Sequence, residues 1–238
     1  TNNTTGTVTV NSTCEKIFMG GVIGEKTGKD NGTGETIYSS PITMHNVRNM
    51  AGVTNNGIAS SDIRIGGIAG QVYNGATFGA IEGNTPVENQ ACSNSGPITS
   101  SSDQATTARI GGIVGQVEKG TDNNIYGASN TGNISFISTA SKVANLYIGG
   151  IGAIFSTDSN IIGCTSNCII SKNATTITNC YGGAIMARSN VTGTLIIKNC
   201  KIAGEIFGTA ITSADKNVLC PWFSKTATTE DISNNSCL

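Results

Sequence analysis

The chain has 238 residues, 31 of them glycine, with 37% hydrophobic, 5% aromatic and 12% charged residues and a formal net charge of -1. So few and so balanced charges exclude a polyelectrolyte disordered chain, and 14 scattered Lys and Arg exclude a basic nucleic-acid surface. The longest apolar run is too short to cross a bilayer as a helix, so no transmembrane segment is expected.

Residues 1–18 contain GTVTV and KIF, which read as a first strand pair or a cap. Residues 25–48 form a polar insertion that holds His45, the only histidine. One histidine excludes a His-rich zinc site and disfavours a Ser-His-Asp triad.

A regular stack is expected over about residues 49–206. The segments ACSNSGPI, GASNTGNI, GCTSNCII and NCKIAGEI end at Ile98, Ile134, Ile170 and Ile206, each 36 residues after the last. A weaker copy, AGVTNNGI, ends at Ile58. At the same period stand Cys92, Ala128, Cys164 and Cys200. Between these segments lie glycine pairs whose second members are read as Gly21, Gly67, Gly112, Gly150 and Gly183, spaced by 46, 45, 38 and 33 residues. A fixed element between variable loops is the mark of a solenoid.

The local pattern is strand. ARIGGIVGQV alternates without helix formers or caps, while GTLIIKNC and VANLYIGG are rich in β-branched and large apolar residues. SNSG and SNTG suit turns, because Asn and Gly tolerate positive φ. The expected class is therefore all-β, a parallel β-helix solenoid with terminal caps. The four isoleucines would share one interior column. Whether the 36-residue unit is one coil or two is open at this stage. A nucleotide site is excluded, since the glycines recur five times with no amphipathic helix after any copy.

ACSNSGPI…IGGIVGQV and GASNTGNI…YIGGIGAI resemble the GLUG-type repeats of bacterial surface and secreted proteins, in which an NCxNxGxV piece alternates with VGGIVG. The resemblance covers roughly residues 50–206, with an outlier at Met19–Lys26. It implies a β-helical solenoid with an adhesin-like or protease-associated surface role and no catalysis by the repeat itself.

Residues 1–208 are read as the repeat domain and 209–238 as a capping segment. Trp222 and Phe223 are natural lids for the last coil, with a sugar or protein contact as the other reading of Trp222. Eight cysteines, an even number, together with N-x-S/T sequons point to an oxidising compartment, extracellular or at the cell surface. At least two disulfides are expected. Cys220–Cys237 would close the tail. Cys164–Cys200 would stack if one unit is one coil, with Cys168–Cys180 as an alternative.

Two acid pairs share the 36-residue step, Glu82 with Glu118 and Asp122 with Asp158. They read as solvated loop residues, as oxygen ligands for calcium, or as a glycosidase-type carboxylate pair. Arg64 and Arg109 hold matching places before their glycine pairs, with Tyr147 and Cys180 at the next ones. The functional expectation is a non-catalytic extracellular structural or adhesive module that presents polar loops to a glycan or a cell-surface protein, with calcium as a possible ion. The alternative is a carbohydrate-active enzyme or a carbohydrate-binding module.

Overall fold

The computed structural model describes residues 6–26, 28–30, 36–38, 40–101, 104–120, 123–138, 143–174 and 177–238. They form a parallel β-helix of four long sheets, with helix confined to a 3-10 turn at Glu88–Gln90 and one α-helical turn at Lys216–Leu219. The first sheet contains Thr7–Val10, Gly52–Asn55, Ile98–Ser100, Ile134–Ser138, Thr165–Ala174 and Lys201–Ile206, with short strands such as Ser93–Asn94 and Ser129–Asn130 beside them. The second contains Thr13–Gly20, Ile58–Gly66, Thr107–Gly111, Asn145–Gly149 and Asn179–Gly183. The third contains Ile23–Lys26, Ala69–Tyr73, Val114–Glu118, Gly152–Phe155, Met186–Ser189 and Trp222–Phe223. The fourth contains Ile42–Met44, Ala76–Phe78, Asn123–Tyr126, Ser159–Ile162, Thr194–Lys198 and Thr229–Ser233. The chain visits the four in turn and returns to the first, so the 36-residue unit is a single coil.

The isoleucine column follows from this winding. Ile98 pairs with Ile134, Ile134 with Ile170, and Ile170 with Ile206. The first three are buried, while Ile206 is half-buried at the end of the stack. On the other side Ile98 pairs with Val53 rather than Ile58. Ile58 opens the next strand of the second sheet, opposite Thr13, and is 43% exposed. The weaker copy is thus aligned through its valine.

The glycine pairs form the corner between the second and third sheets. Gly20, Gly66, Gly111, Gly149 and Gly183 are in register. Gly183 therefore matches the first glycine of each pair, and Ala184 takes the second place. A Cβ on any first glycine would overlap the carbonyl oxygen three residues on, so the sharp corner requires its absence. The second glycines point inward. Those at 21, 67, 112 and 150 lie against the side chains of Asn49, Asn94, Asn130 and Ser166.

Asn94 and Asn130 come from the SNSG and SNTG segments, expected as turns. They are instead strand residues whose side chains form an interior ladder. Asn49 Nδ2 donates to Asn94 Oδ1 at 2.8 Å, and Asn94 Nδ2 donates to Asn130 Oδ1 at 2.8 Å. Each amide also donates to a carbonyl two residues on, of Ala51, Gly96 and Gly132. Buried amides are tolerated here because their donors are bonded. Corner and ladder pinch the interior into two hydrophobic lobes. One, between the first and second sheets, contains Ile63, Ile110, Ile134 and Leu146. The other, against the third and fourth sheets, contains Ile68, Val114, Phe155 and Ile197.

Turns from the fourth to the first sheet use left-handed residues, Gly127 and Gly163 at φ 64°, then Asn199 and Asn234 at φ 55°. At the C-terminal end, Leu219 and Cys220 are fully buried, and Ala184 and Ile185 donate backbone hydrogen bonds to Val218 and Leu219. These residues, with Phe223 against the core, plug the stack. Trp222 turns outward. The strands Trp222–Phe223, Thr229–Ser233 and Ser236–Cys237 extend the third, fourth and first sheets.

No disulfide is seen: in the structure all eight cysteines stand as free thiols. Cys220 precedes a third-sheet strand, whereas Cys237 is exposed in the first sheet opposite Ile202, so the tail is not closed by this pair. Cys164 and Cys200 do stack on adjacent coils. Their buried thiols contact backbone carbonyls, Cys164 Sγ that of Ile125 at 3.4 Å and Cys200 Sγ that of Lys198 at 3.5 Å. They behave as small core side chains.

Candidate functional site

The inward corner leaves a concave groove on the outside, between the second and third sheets. Alternation along each strand sends every second side chain into it. From the second sheet come Phe18, Arg64, Arg109, Tyr147 and Tyr181, in register over five coils. From the third come Glu25, Gln71, Gln116, Ile154, Arg188 and Trp222. Gly70 and Gly115 form the floor, where a Cβ would strike the backbone of Met19 and Ile65.

The N-terminal half of the groove is an ion-pair network. Arg64 donates to Asp62 Oδ2 through Nε and Nη2, both at 2.7 Å. Arg109 Nη1 binds the other oxygen, Asp62 Oδ1. Arg64 Nη1 also lies 3.6 Å from Glu118 Oε2, and Gln116 Nε2 donates to Glu118 Oε1. The Arg64 guanidinium covers the Phe18 ring at 5.0 Å. Burial alone would lower the pKa of Arg64, but Asp62 and Glu118 more than offset it and raise it. For Arg109 burial dominates and the pKa falls. Burial raises Glu25, against the pull of Arg64 and Lys16. Tyr73 is raised by burial and by its hydrogen bond to Glu118.

The C-terminal half is aromatic. Tyr147 stacks on Tyr181 at 5.7 Å with an interplanar angle of 6°, and Tyr181 stacks on Trp222 at 4.6 Å and 24°. Arg188 lies over Trp222 at 4.0 Å and donates from Nη1 to the Tyr147 hydroxyl at 3.2 Å. Ala153, Ile154 and Ala187 pack beneath them. The rims are neutral. Asn179 Nδ2 donates to Asn145 Oδ1 on one side, and Ser156, Asn190 and Ser224 form a hydrogen-bonded row on the other. Of the buried side-chain polar atoms without a partner among the described residues, Gln71 Oε1, Gln116 Oε1, Arg109 Nε and Arg188 Nε belong to this groove.

Of the two acid pairs, Glu82 and Glu118 do not stack. Glu118 is in register with Tyr73, not Glu82. Glu82 sits exposed in a small antiparallel hairpin, Ile81–Glu82 with Thr85–Pro86. Asp158 accepts a hydrogen bond from the Thr194 backbone at 3.1 Å, and Asp122 lies outside the described residues. Among the described residues no group of three or more His, Cys, Asp and Glu is placed to hold a metal ion. Arg64, Arg109 and Tyr147 do align, and the next member is Tyr181, not Cys180, because the glycine pairs shift by one. Asp62, Gln71, Gln116 and Arg188 were missed. The shared register with Arg64 and the IxGQV repeat was the signal that could have found them.

No family model, no curated protein and no solved structure matches the chain. The geometry defines the class: a parallel β-helix module with a charged and aromatic groove along one side.

Proposed function

We propose that the protein is a non-catalytic, extracellular or cell-surface adhesive module of the kind GLUG-type repeats build, and that it holds a glycan in the groove between the second and third sheets. One observation carries this reading. Both oxygens of Asp62 are bound by guanidinium groups, so the most enclosed carboxylate of the groove is committed to structure rather than to proton transfer. Aromatic side chains and neutral amide and hydroxyl rims are what a hydroxyl-rich ligand needs for contact and hydrogen bonding. A rigid stack also lowers the ordering cost of binding.

A second reading, a carbohydrate-active enzyme, is favoured by the convergence of acidic and aromatic side chains in one groove. A glycan array with and without calcium, followed by product analysis on each glycan retained, separates the two. Retention without cleavage is expected. Reducing-end or unsaturated products lost in Glu118→Gln would overturn the proposal.

A further inference from the structure

The three arginines of the groove are not equivalent. Arg64 and Arg109 both hold Asp62, but Arg188 forms no ion pair among the described residues. Its Nη1 donates to the Tyr147 hydroxyl, and its guanidinium carbon lies 4.0 Å from the Trp222 ring centroid and 5.5 Å from that of Tyr147. Its Nε is buried and has no hydrogen-bond partner. A shielded guanidinium without an anion is costly unless something compensates it, and the two ring faces supply only part of what a carboxylate would.

We infer that Arg188, half-buried and framed by Tyr147, Tyr181 and Trp222, is an anion subsite, and that the ligand is an acidic glycan whose carboxylate approaches the guanidinium from its solvent side. The inference rests on the glycan reading of the groove and names its substrate class. A planar guanidinium offers parallel donors that match a carboxylate. Beside it, the half-buried Asn179 and Asn190 present neutral amides to hydroxyl groups on either side. Asp62 and Glu118 lie toward the other half of the groove and are already bonded to Arg64. The positive site is therefore unopposed at the aromatic end.

Trp222 is the only tryptophan of the chain, so its emission reports on this subsite directly. The experiment titrates the protein with oligogalacturonate, with the same oligomer fully methyl-esterified, and with a sulfated galactan oligomer. A saturable change in Trp222 emission with the free acid is expected, at least about tenfold weaker for the methyl ester, a free-energy difference of about 1.4 kcal/mol. Arg188→Gln should weaken acid binding by a similar factor, and Arg188→Lys by less. Equal binding of acid and ester, or acid binding unchanged in Arg188→Gln, sinks the inference while leaving a neutral-glycan groove. Response to the sulfated oligomer alone overturns the carboxylate assignment. No glycan retained on the array and no emission change would overturn both the inference and the reading beneath it. Should Arg188→Gln fail to fold, the acid–ester comparison on the unaltered chain still decides.

Discussion

Gly112 lies directly against the side chain of Asn130, with no room between them for a methyl group. The same methyl would overlap the carbonyl oxygen of Gly150 on the next coil. Gly112→Ala should therefore destabilise the protein by about 3 kcal/mol, the upper part of the usual overpacking range. Gly52→Ala is the control. Its new Cβ would meet only Thr7 and Pro97 atoms at 3.5 Å or more, so stability should change by less than about 0.5 kcal/mol. Urea denaturation of both variants checks this, and equal losses would contradict the corner geometry.

Asn94 is the central rung of the ladder. Its removal in Asn94→Ala leaves the Asn49 amide, the Gly96 carbonyl and the Asn130 carbonyl each one bond short. The expected cost is about 3 kcal/mol, since each unsatisfied buried group costs about 1–3 kcal/mol and relaxation recovers part. Amide exchange should rise at Asn130 and Gly132 more than in the fourth sheet. A uniform rise would mean that the ladder does not pin the pinch point.

Asp62 binds two guanidinium groups with side-chain exposures of 10% for the acid and 12% and 17% for Arg64 and Arg109. Asp62→Ala should cost about 3 kcal/mol, because it strands two shielded cations. Arg109→Ala should cost less in that background than alone. The coupling should also survive added salt, unlike that of an exposed pair. Additive losses in a double-mutant cycle would refute the network.

Thiol chemistry tests the cysteine assignment. Cys14 and Cys237 are exposed, whereas burial pushes Cys220 up to about 12. At pH 8 only about one Cys220 in ten thousand is thiolate, too few for ready alkylation. Two fast-reacting thiols are expected in the folded protein and eight after denaturation without reductant. A total of six or fewer would reveal a disulfide.

Lys26 is nearly buried and donates to the carbonyls of Tyr73, Asn74 and Gly75, at 2.6, 3.1 and 3.1 Å. Burial lowers its pKa. Above that lowered value and below the ordinary lysine range near pH 10.4, the unfolded chain binds more protons than the folded one, so stability rises with pH. The stability difference between the unaltered protein and Lys26→Met should shift toward the former as pH rises through that window. A shift the other way would place the charged form as the one that folding favours.

The winding was legible because Ile98, Ile134 and Ile170 face inward in every coil, and a column of identical side chains shows in the sequence as a period. The glycine pairs were legible as an element but not as a function. Gly183 was aligned one place off because Ala184 replaces the second glycine where the ladder has already ended at Ser166. Asn94 was read as a turn former because an Asn-rich segment looks the same whether its amides face solvent or one another. The groove was the least legible part. Arg188 and Trp222 are 34 residues apart, and only strand register makes them neighbours. Glu82 and Glu118 have the spacing of one coil, but the hairpin around Glu82 takes it out of the count.

The pinched coil has a mechanical consequence. Two apolar lobes held apart by a stiff row of amides resemble a beam with two flanges and a web. Such a section resists bending most strongly in the plane that contains both flanges, and because packing resembles that of an organic crystal, neither flange compresses easily. The groove lies beside the web, where flexing changes its width least. A long ligand laid along it would meet contacts repeating about every 4.8 Å with little drift from one end to the other.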